Sequence, residues 1–240
     1  MIRLENVTKT FGTGASALIE LTLAIEKGEF VFVVGPSGSG KTTLLRLLIH
    51  DMVPTTGSIF LGDLDITKIP NSKIPHLRKR IGVVFQDLKM LMDRTIFENI
   101  MLPLEMANLD QKAAKEQVSK ILEQVGIGEH KDKFPVQLSG GELQRAAIAR
   151  ALVFSPEILL ADEPTGNLDA TTSWEIVKLL QDINALGTTV VMATHNTDVV
   201  NSLLKRVITL EKGSLKKDEK PKSHSEKKEK ETVKPEGVLK

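Results

Sequence analysis

The chain has 240 residues with 41% apolar content, which is long enough for one large α/β domain or for a core domain with a subdomain. It contains no cysteine, which excludes disulfides, thiolate metal sites and cysteine nucleophiles, and no apolar run approaches the ~20 residues of a membrane-spanning helix, so we expect a soluble, cytosolic protein. Residues 212–240 hold ten lysines and six acidic residues, so the net charge of +1 leaves the rest of the chain slightly acidic, and this argues against a nucleic-acid partner.

Short apolar segments bounded by Gly or Pro predict buried strands at residues 30–34, 82–85, 158–161 and 189–193. Helical patterns between them cover residues 42–50, 110–125 and 142–154. The N-terminal sequence MIRLENVTKTF alternates polar and apolar residues, which indicates a further strand and no signal peptide. Strands that alternate with helices predict an α/β fold with a mainly parallel sheet covered on both faces.

Three regions differ in composition. Residues 87 to 155 carry no strong strand pattern and are bracketed by β segments, which predicts a mainly helical subdomain within a folded domain of residues 1–211. From residue 212 the chain is rich in Lys and Glu, with too few apolar residues to offset its entropy, so we expect a disordered tail over 212–240. The tail is either a solvated terminus or a segment whose lysines contact anionic lipid headgroups.

A glycine-rich loop follows the second predicted strand and precedes a helix. The sequence GPSGSGKT matches G-x-x-x-x-G-K-[ST] in the strand–loop–helix context that phosphate binding needs. Its main-chain N–H groups converge on phosphate oxygens, Lys41 supplies positive charge, and the Thr42 hydroxyl is offered to Mg²⁺. The alternative is an ordinary Gly-rich turn. The predicted ATP-binding residues here are Gly35, Pro36, Ser37, Gly38, Ser39, Gly40, Lys41, Thr42 and Thr43.

Two adjacent carboxylates end the apolar strand ILLADE. Because the carboxyl ends of parallel strands bind ligands, Asp162 is placed to bind Mg²⁺ and Glu163 to polarise an attacking water. Acidic residues often follow strands without a catalytic role, but the phosphate loop favours the functional interpretation.

The sequence LSGGE precedes a third helical pattern. Ser139 and Glu142 form a predicted capping box, and a Ser-capped, Gly-rich helix start is also an anion site. Together with the two preceding motifs, LSGGE resembles the signature of the ATP-binding-cassette (ABC) ATPases, with Ser139, Gly140 and Gly141 facing nucleotide. The commonest family form is LSGGQ. A carboxylate at 142 would be unfavourable near a triphosphate unless the capping box turns it away, and we expect activity to survive.

The resemblance covers roughly residues 1–212 and implies further site residues. Gln86 resembles the glutamine that binds Mg²⁺ and senses the nucleotide, and Asp169 resembles the acid of the D-loop. His195 resembles the switch histidine at the γ-phosphate, with a structural histidine as the alternative. Phe11 occupies the place of the adenine-stacking ring, with a core Phe as the alternative.

The family resemblance also implies fold and partners. It implies a P-loop core with an N-terminal antiparallel β part and a helical subdomain, and a head-to-tail pair of cassettes, either a homodimer or a heterodimer, around ATP and Mg²⁺. A chain with one cassette, no coiled coil and a slightly acidic core favours an ATPase for an integral membrane partner, at the inner face of the membrane, over a ribosome, DNA or scaffold protein. 

Residues 74–78 and 91–95 resemble the cell-division branch of the family more than they resemble the lipoprotein-releasing or macrolide-exporter ATPases, which are the alternative. Four methionines (Met90, Met92, Met101 and Met106) either dock the partner or fill gaps in a helical core.

Overall fold

The computed structural model describes residues 1–221 and contains, within that range, ten strands and seven α-helices. The strands are β1 (Ile2–Thr10), β2 (Ser16–Ile25), β3 (Phe30–Val34), β4 (Thr56–Leu61), β5 (Leu64–Asp65), β6 (Ile81–Val84), β7 (Ile158–Asp162), β8 (Thr189–Ala193), β9 (Arg206–Glu211) and β10 (Ser214–Glu219). The helices are α1 (Lys41–Leu48), α2 (Ile74–Lys79), α3 (Ile96–Met106), α4 (Gln111–Gln124), α5 (Gly140–Leu152), α6 (Ala170–Ala185) and α7 (Thr197–Ser202).

The main sheet has the strand order β10-β9-β3-β8-β7-β6, parallel throughout except for β10. Its central strands are buried on both faces, as continuous apolar runs require. Side chains of β3 alternate between two cores: Phe30 and Phe32 join the core that includes the helices α3 to α6, whereas Val31 and Val33 join the core beneath α1. The predicted parallel sheet with both faces covered is confirmed.

A second, antiparallel sheet has the order β2-β1-β4-β5 and packs its apolar face on the α1 side of the main sheet. Its first strand is the alternating N-terminal segment. The antiparallel part implied by the family resemblance is therefore present.

Between β6 and β7 the chain contains α3, α4 and α5 and short 3₁₀ turns, and no strand. Thr95 caps α3 in a capping box with Glu98, and Asp110 caps α4 by accepting a hydrogen bond from the Ala113 N–H at 3.0 Å. Val118, Ile121 and Leu122 form the buried stripe of α4. Met101 lies in the same core, so the docking role proposed for the four methionines is wrong for this one.

The predicted start of disorder at residue 212 is wrong, because residues 214–219 form β10 and pair with β9. The segment has a single apolar residue, Leu215, which is 37% exposed, but its main chain completes a ladder. Its Asp218 carboxylate accepts two hydrogen bonds from the Arg206 guanidinium, at 2.7 and 2.6 Å. Arg206 also contacts Glu29, at 3.0 Å. Ladder bonds and a half-buried ion pair thus replace hydrophobic burial. The remainder of the predicted tail, residues 222–240, lies outside the described residues.

Over residues 1–221, no helix combines the length and the apolar character needed to cross a bilayer.

Candidate functional site

An open cavity of about 710 Å³ lies at the carboxyl ends of β3, β7 and β8. It collects predicted site residues from five separate parts of the chain, as the topology of a parallel sheet requires. Its lining residues are Phe11, Ala15, Ser16, Ala17, Ser37, Gly38, Ser39, Gly40, Lys41, Thr42, Thr43, Gln86, Asp162, Glu163 and His195.

The phosphate loop connects β3 to α1 through backbone that only glycine accommodates. A Cβ on Gly35 would lie 2.2 Å from the Leu210 carbonyl oxygen, and one on Gly40 would lie 2.5 Å from that of Ala17. Lys41 is buried, and its ammonium donates to the carbonyl oxygens of Gly35 at 2.8 Å and Pro36 at 3.3 Å. The loop is therefore folded over its own lysine, with the N-terminus of α1 beside it.

Asp162 is the last residue of β7 and is only 6% exposed. Burial raises the pKa of this carboxyl, while the Thr42 hydroxyl and the Lys41 ammonium oppose the shift. Its Oδ1 is buried without a hydrogen-bond partner. An orphaned carboxylate oxygen beside a hydroxyl and the Gln86 amide fits a hard divalent cation, for which oxygen donors are preferred.

Glu163 and His195 form a pair in the lining of the cavity. The His195 Nδ1 lies 2.8 Å from Glu163 Oε1, and the His195 main-chain N–H donates to Oε2 at 3.3 Å. Glu163 has a left-handed backbone with φ 48°, while its N–H donates to the Ala193 carbonyl at 2.9 Å. The carboxylate is thus fixed by the strand and by His195, whose own side chain is 72% exposed.

Phe11 follows β1 at the mouth of the cavity and is 42% exposed, so it is not a core residue. The Lys9 ammonium lies 5.9 Å from its ring centroid. An exposed ring in the lining of the cavity is free to stack on a planar ligand.

The start of α5 lies elsewhere, because Ser139, Gly140 and Gly141 are not among the residues that line this cavity. The Glu142 Oε2 accepts hydrogen bonds from the Ser139 N–H and hydroxyl, both at 2.7 Å, and its Oε1 lies 2.9 Å from His130 Nε2. The Ser139 hydrogen bonds, with a smaller effect of the charge of His130, lower the pKa of Glu142. This carboxylate is engaged within its own chain, as the capping box predicted.

Asp169 adjoins the same helix start. It caps α6 by accepting a hydrogen bond from the Thr172 N–H at 3.0 Å, and the Thr172 side chain and main chain lower its pKa. Gly141 is needed here, because a Cβ would lie 2.5 Å from Thr172 Cγ2. The predicted site residues therefore form two surfaces, the cavity and a signature surface of Ser139, Gly140, Gly141 and Asp169.

Comparisons with known proteins agree with this geometry. Residues 18–166 match the family described as ABC transporter. The cell division ATP-binding protein FtsE of Bacillus subtilis (strain 168) is 46% identical over 219 residues, covering 91% of this chain and 96% of that protein. The chain belongs to the FtsE group of ABC ATPases. FtsE of Mycobacterium tuberculosis (strain ATCC 25618 / H37Rv) is also 46% identical, over 220 residues, with 91% and 96% covered.

A solved structure supports the fold of this FtsE-group chain. The dimeric post-hydrolysis state of the ATP-binding cassette MJ0796, bound to ADP and phosphate, has a TM-score of 0.84 and 35% identity, covering 93% of this chain and all of that one. The predicted ABC-type ATPase fold, family and cell-division branch are confirmed.

Other residues near the site gave no sequence signal. Ala15, Ser16 and Ala17 line the cavity through the start of β2, and Gly213 touches the phosphate loop through its main chain. Small side chains and backbone contacts leave no motif. Only the fold brings them to the nucleotide site.

Proposed function

We propose that this chain is the ATP-hydrolysing subunit of an FtsEX-type complex, in which two copies close on ATP and Mg²⁺ and relay that closure to an FtsX-type membrane protein that activates peptidoglycan hydrolases in cell division. The observation that supports this most is the separation of the cavity from the signature surface within one chain. A head-to-tail second copy would complete each site.

Within the cavity, each residue has a separate role. Lys41 and the main-chain N–H groups of the loop bind the phosphates. Glu163 accepts a proton from the attacking water as the oxygen of that water bonds to the γ-phosphorus and the bond from phosphorus to the bridging oxygen breaks. The products are ADP and phosphate, and the proton leaves Glu163 when phosphate is released. His195 fixes both carboxylate oxygens of Glu163. Thr42, Gln86 and Asp162 would hold Mg²⁺, which supplies charge neutralisation at the β and γ phosphates.

The signature surface would serve the nucleotide of the second copy. After the Ser139 cap, α5 begins with two glycines. Because glycine has no side chain, the main chain here can approach an anion closely. Glu142 carries a negative charge, but its hydrogen bonds to Ser139 and its contact with His130 turn it back onto its own chain. This arrangement supports phosphate binding despite the departure from LSGGQ.

The proposed binding site for the membrane partner is a groove beside the loop that follows Gln86. The chain would bind there at the cytoplasmic face of the membrane. Its cavity of about 460 Å³ lies between β6, α2 and α5 and combines aromatic surface with charged rims. Phe85, which is 37% exposed, lines both this cavity and the adjoining one that contains Met92. An amphipathic helix suits such a groove.

The first experiment concerns Glu163→Gln. A neutral amide cannot accept the proton, so ATP hydrolysis should fall by about 100-fold or more and the ATP-bound dimer should accumulate, as measured by phosphate release and light scattering. Glu157→Gln is the matched control, because Glu157 precedes the same strand and pairs with Arg80 at 2.6 Å away from the cavity. Normal hydrolysis by Glu163→Gln would contradict the assigned role.

A second experiment concerns the partner. Met92 and Met106 are both exposed, by 63% and 77% respectively. Met92 lines the cavity that contains Gln86 and adjoins the groove, whereas Met106 is the last residue of α3. Met92→Asp should abolish co-purification with an FtsX-type membrane protein, and Met106→Asp should preserve it. Equal co-purification of the two variants would contradict docking beside the loop that follows Gln86.

A further inference from the structure

Arg150 joins the signature helix to the loop that follows Gln86. It lies near the C-terminus of α5, and its guanidinium donates to the carbonyl oxygen of Lys89 at 2.7 Å and to that of Leu88. Gln86 lines the nucleotide cavity only two residues before Leu88. One side chain thus connects the helix that begins at the signature with the loop that begins at the nucleotide.

The same loop is fixed further along by Asn99 of α3. The Asn99 side chain accepts a hydrogen bond from the Leu91 N–H at 2.7 Å and donates to the carbonyl oxygens of Leu91, Arg94 and Thr95, at 3.0, 3.1 and 2.9 Å. Arg150 and Asn99 therefore attach the loop to two helices of the helical subdomain. Displacement of Gln86 would move the loop as a unit with those helices.

Arg150 makes this connection from a largely buried position. Burial lowers the pKa of its guanidinium. The two main-chain carbonyls accept from two separate nitrogens of its planar fork, Nη1 and Nη2, whereas a lysine would offer one nitrogen on a differently shaped side chain. Lys89 has a left-handed backbone with φ 53°, which aims consecutive carbonyl groups at Arg150. The contact therefore uses the planar, two-nitrogen shape of the arginine head group.

We propose that Arg150 is a positioning residue that couples the nucleotide cavity of a chain to its own signature surface. Ser139 and Arg150 are eleven positions apart in one helix, a span of ~16 Å at ~1.5 Å per residue. Nucleotide contact at Gln86 fixes the position of the loop, and the loop carbonyls fix the position of Arg150. Because α5 is rigid, the position of Arg150 determines how Ser139–Gly141 face the second copy. The inference rests on the proposed ATP-dependent dimer.

Substitution of Arg150 should therefore weaken ATP-dependent dimerisation without weakening the binding of ATP itself. Arg150 does not line the nucleotide cavity, so Arg150→Lys and Arg150→Met should bind ATP within about twofold of the parent. Dimer formation at a given ATP concentration should weaken by about tenfold, within the usual range of coupling between sites, and the Hill coefficient of hydrolysis should fall towards 1.

The test uses full-length chains. Trinitrophenyl-ATP fluorescence measures ATP binding at protein concentrations below dimerisation, light scattering measures the ATP-dependent dimer in the Glu163→Gln background, and initial rates without that background give the Hill coefficient. Arg80→Met is the matched control, since Arg80 also forms a half-buried two-point contact, with Glu157 at 2.6 and 3.1 Å, remote from the loop. The control should behave like the parent.

Three results would overturn the inference. Arg150 variants that dimerise as the parent does would remove the coupling role, and variants that lose ATP binding together with thermal stability would show a merely structural one. Arg150→Lys keeps the positive charge and much of the side-chain volume, so it replaces Arg150→Met in the test if Arg150→Met does not fold. A parent that fails to dimerise with ATP would overturn the proposed function as well, which distinguishes the two failures.

Discussion

The main-chain N–H of Gly213 donates to the Ser39 carbonyl oxygen at 3.1 Å, which ties the turn between β9 and β10 to the phosphate loop. The Gly213 carbonyl oxygen accepts from the Ile19 N–H at 2.9 Å. The hairpin therefore sits between the phosphate loop and β2, the strand whose start lines the same cavity. This contact makes the C-terminal hairpin part of the support of the nucleotide site.

Gly213→Ala should weaken ATP binding. Gly213 has φ +83°, and a Cβ there would lie 2.8 Å from the Ala17 carbonyl oxygen, so the turn must shift away from Ala17, which disturbs its hydrogen bond to Ser39. We expect a loss of stability of about 1–3 kcal/mol, typical of a strained backbone position, and at least a severalfold weaker Kd for ATP. Calorimetric titration and thermal unfolding measure the two effects.

Gly187→Ala is the control that distinguishes backbone strain from the contact with the phosphate loop. Gly187 also has positive φ, +102°, but a Cβ there meets nothing within 4 Å. It should lower stability and leave ATP affinity unchanged. If both variants bind ATP like the parent, the hairpin does not support the loop.

Truncation tests the same hairpin on a larger scale. A chain that ends at residue 221 keeps β10 and the Arg206–Asp218 pair, whereas a chain that ends at 211 loses both along with Gly213. We expect the longer chain to bind ATP normally and the shorter one to bind weakly and unfold at a lower temperature. Equal affinity of the two chains would contradict this expectation.

Glu142→Gln should leave ATP hydrolysis in place and slightly lower stability near neutral pH. The folded-state pKa of Glu142 is lowered, chiefly by Ser139, so its carboxylate stabilises the fold above its unfolded pKa, and this contribution is lost as the pH falls through the folded value. The cap is partly exposed, so the loss should be below ~1 kcal/mol. Urea unfolding of both chains should differ at pH 7 and converge in acid; a difference that grows in acid would contradict the assignment.

The features that depend on local motifs could be predicted from the sequence, whereas those that depend on backbone contacts could not. The phosphate loop, Asp162, Glu163 and the Ser139–Glu142 capping box follow from residue type and spacing, and the structure places each at a strand or helix end. Helix α6 was not predicted, although its Asp169 cap and its buried Ile176, Val177 and Leu180 would have indicated it. Strand β10 could not be found from apolar periodicity, since its pairing depends on the main chain and on Arg206.

Asp162→Asn should stabilise the free protein while it stops hydrolysis. Burial raises the folded-state pKa of Asp162, so the charged form is disfavoured by folding: stability from this group is present below its unfolded pKa and is lost as the pH rises through the folded value. A neutral amide removes that loss, and the melting temperature without nucleotide should therefore exceed the parent's at pH 8, with the difference shrinking as the pH falls.

The same amide is a poorer donor to a cation than a carboxylate, so Mg²⁺ should no longer raise the melting temperature in the presence of ATP. Thermal unfolding of both chains across pH 4 to 8, with and without Mg²⁺ and ATP, measures all of these effects. Asp110→Asn is the control, because Asp110 is an exposed helix cap outside the cavity. A melting temperature of Asp162→Asn below the parent's at pH 8 without nucleotide would show that the Asp162 carboxylate stabilises the fold, against the expected sign.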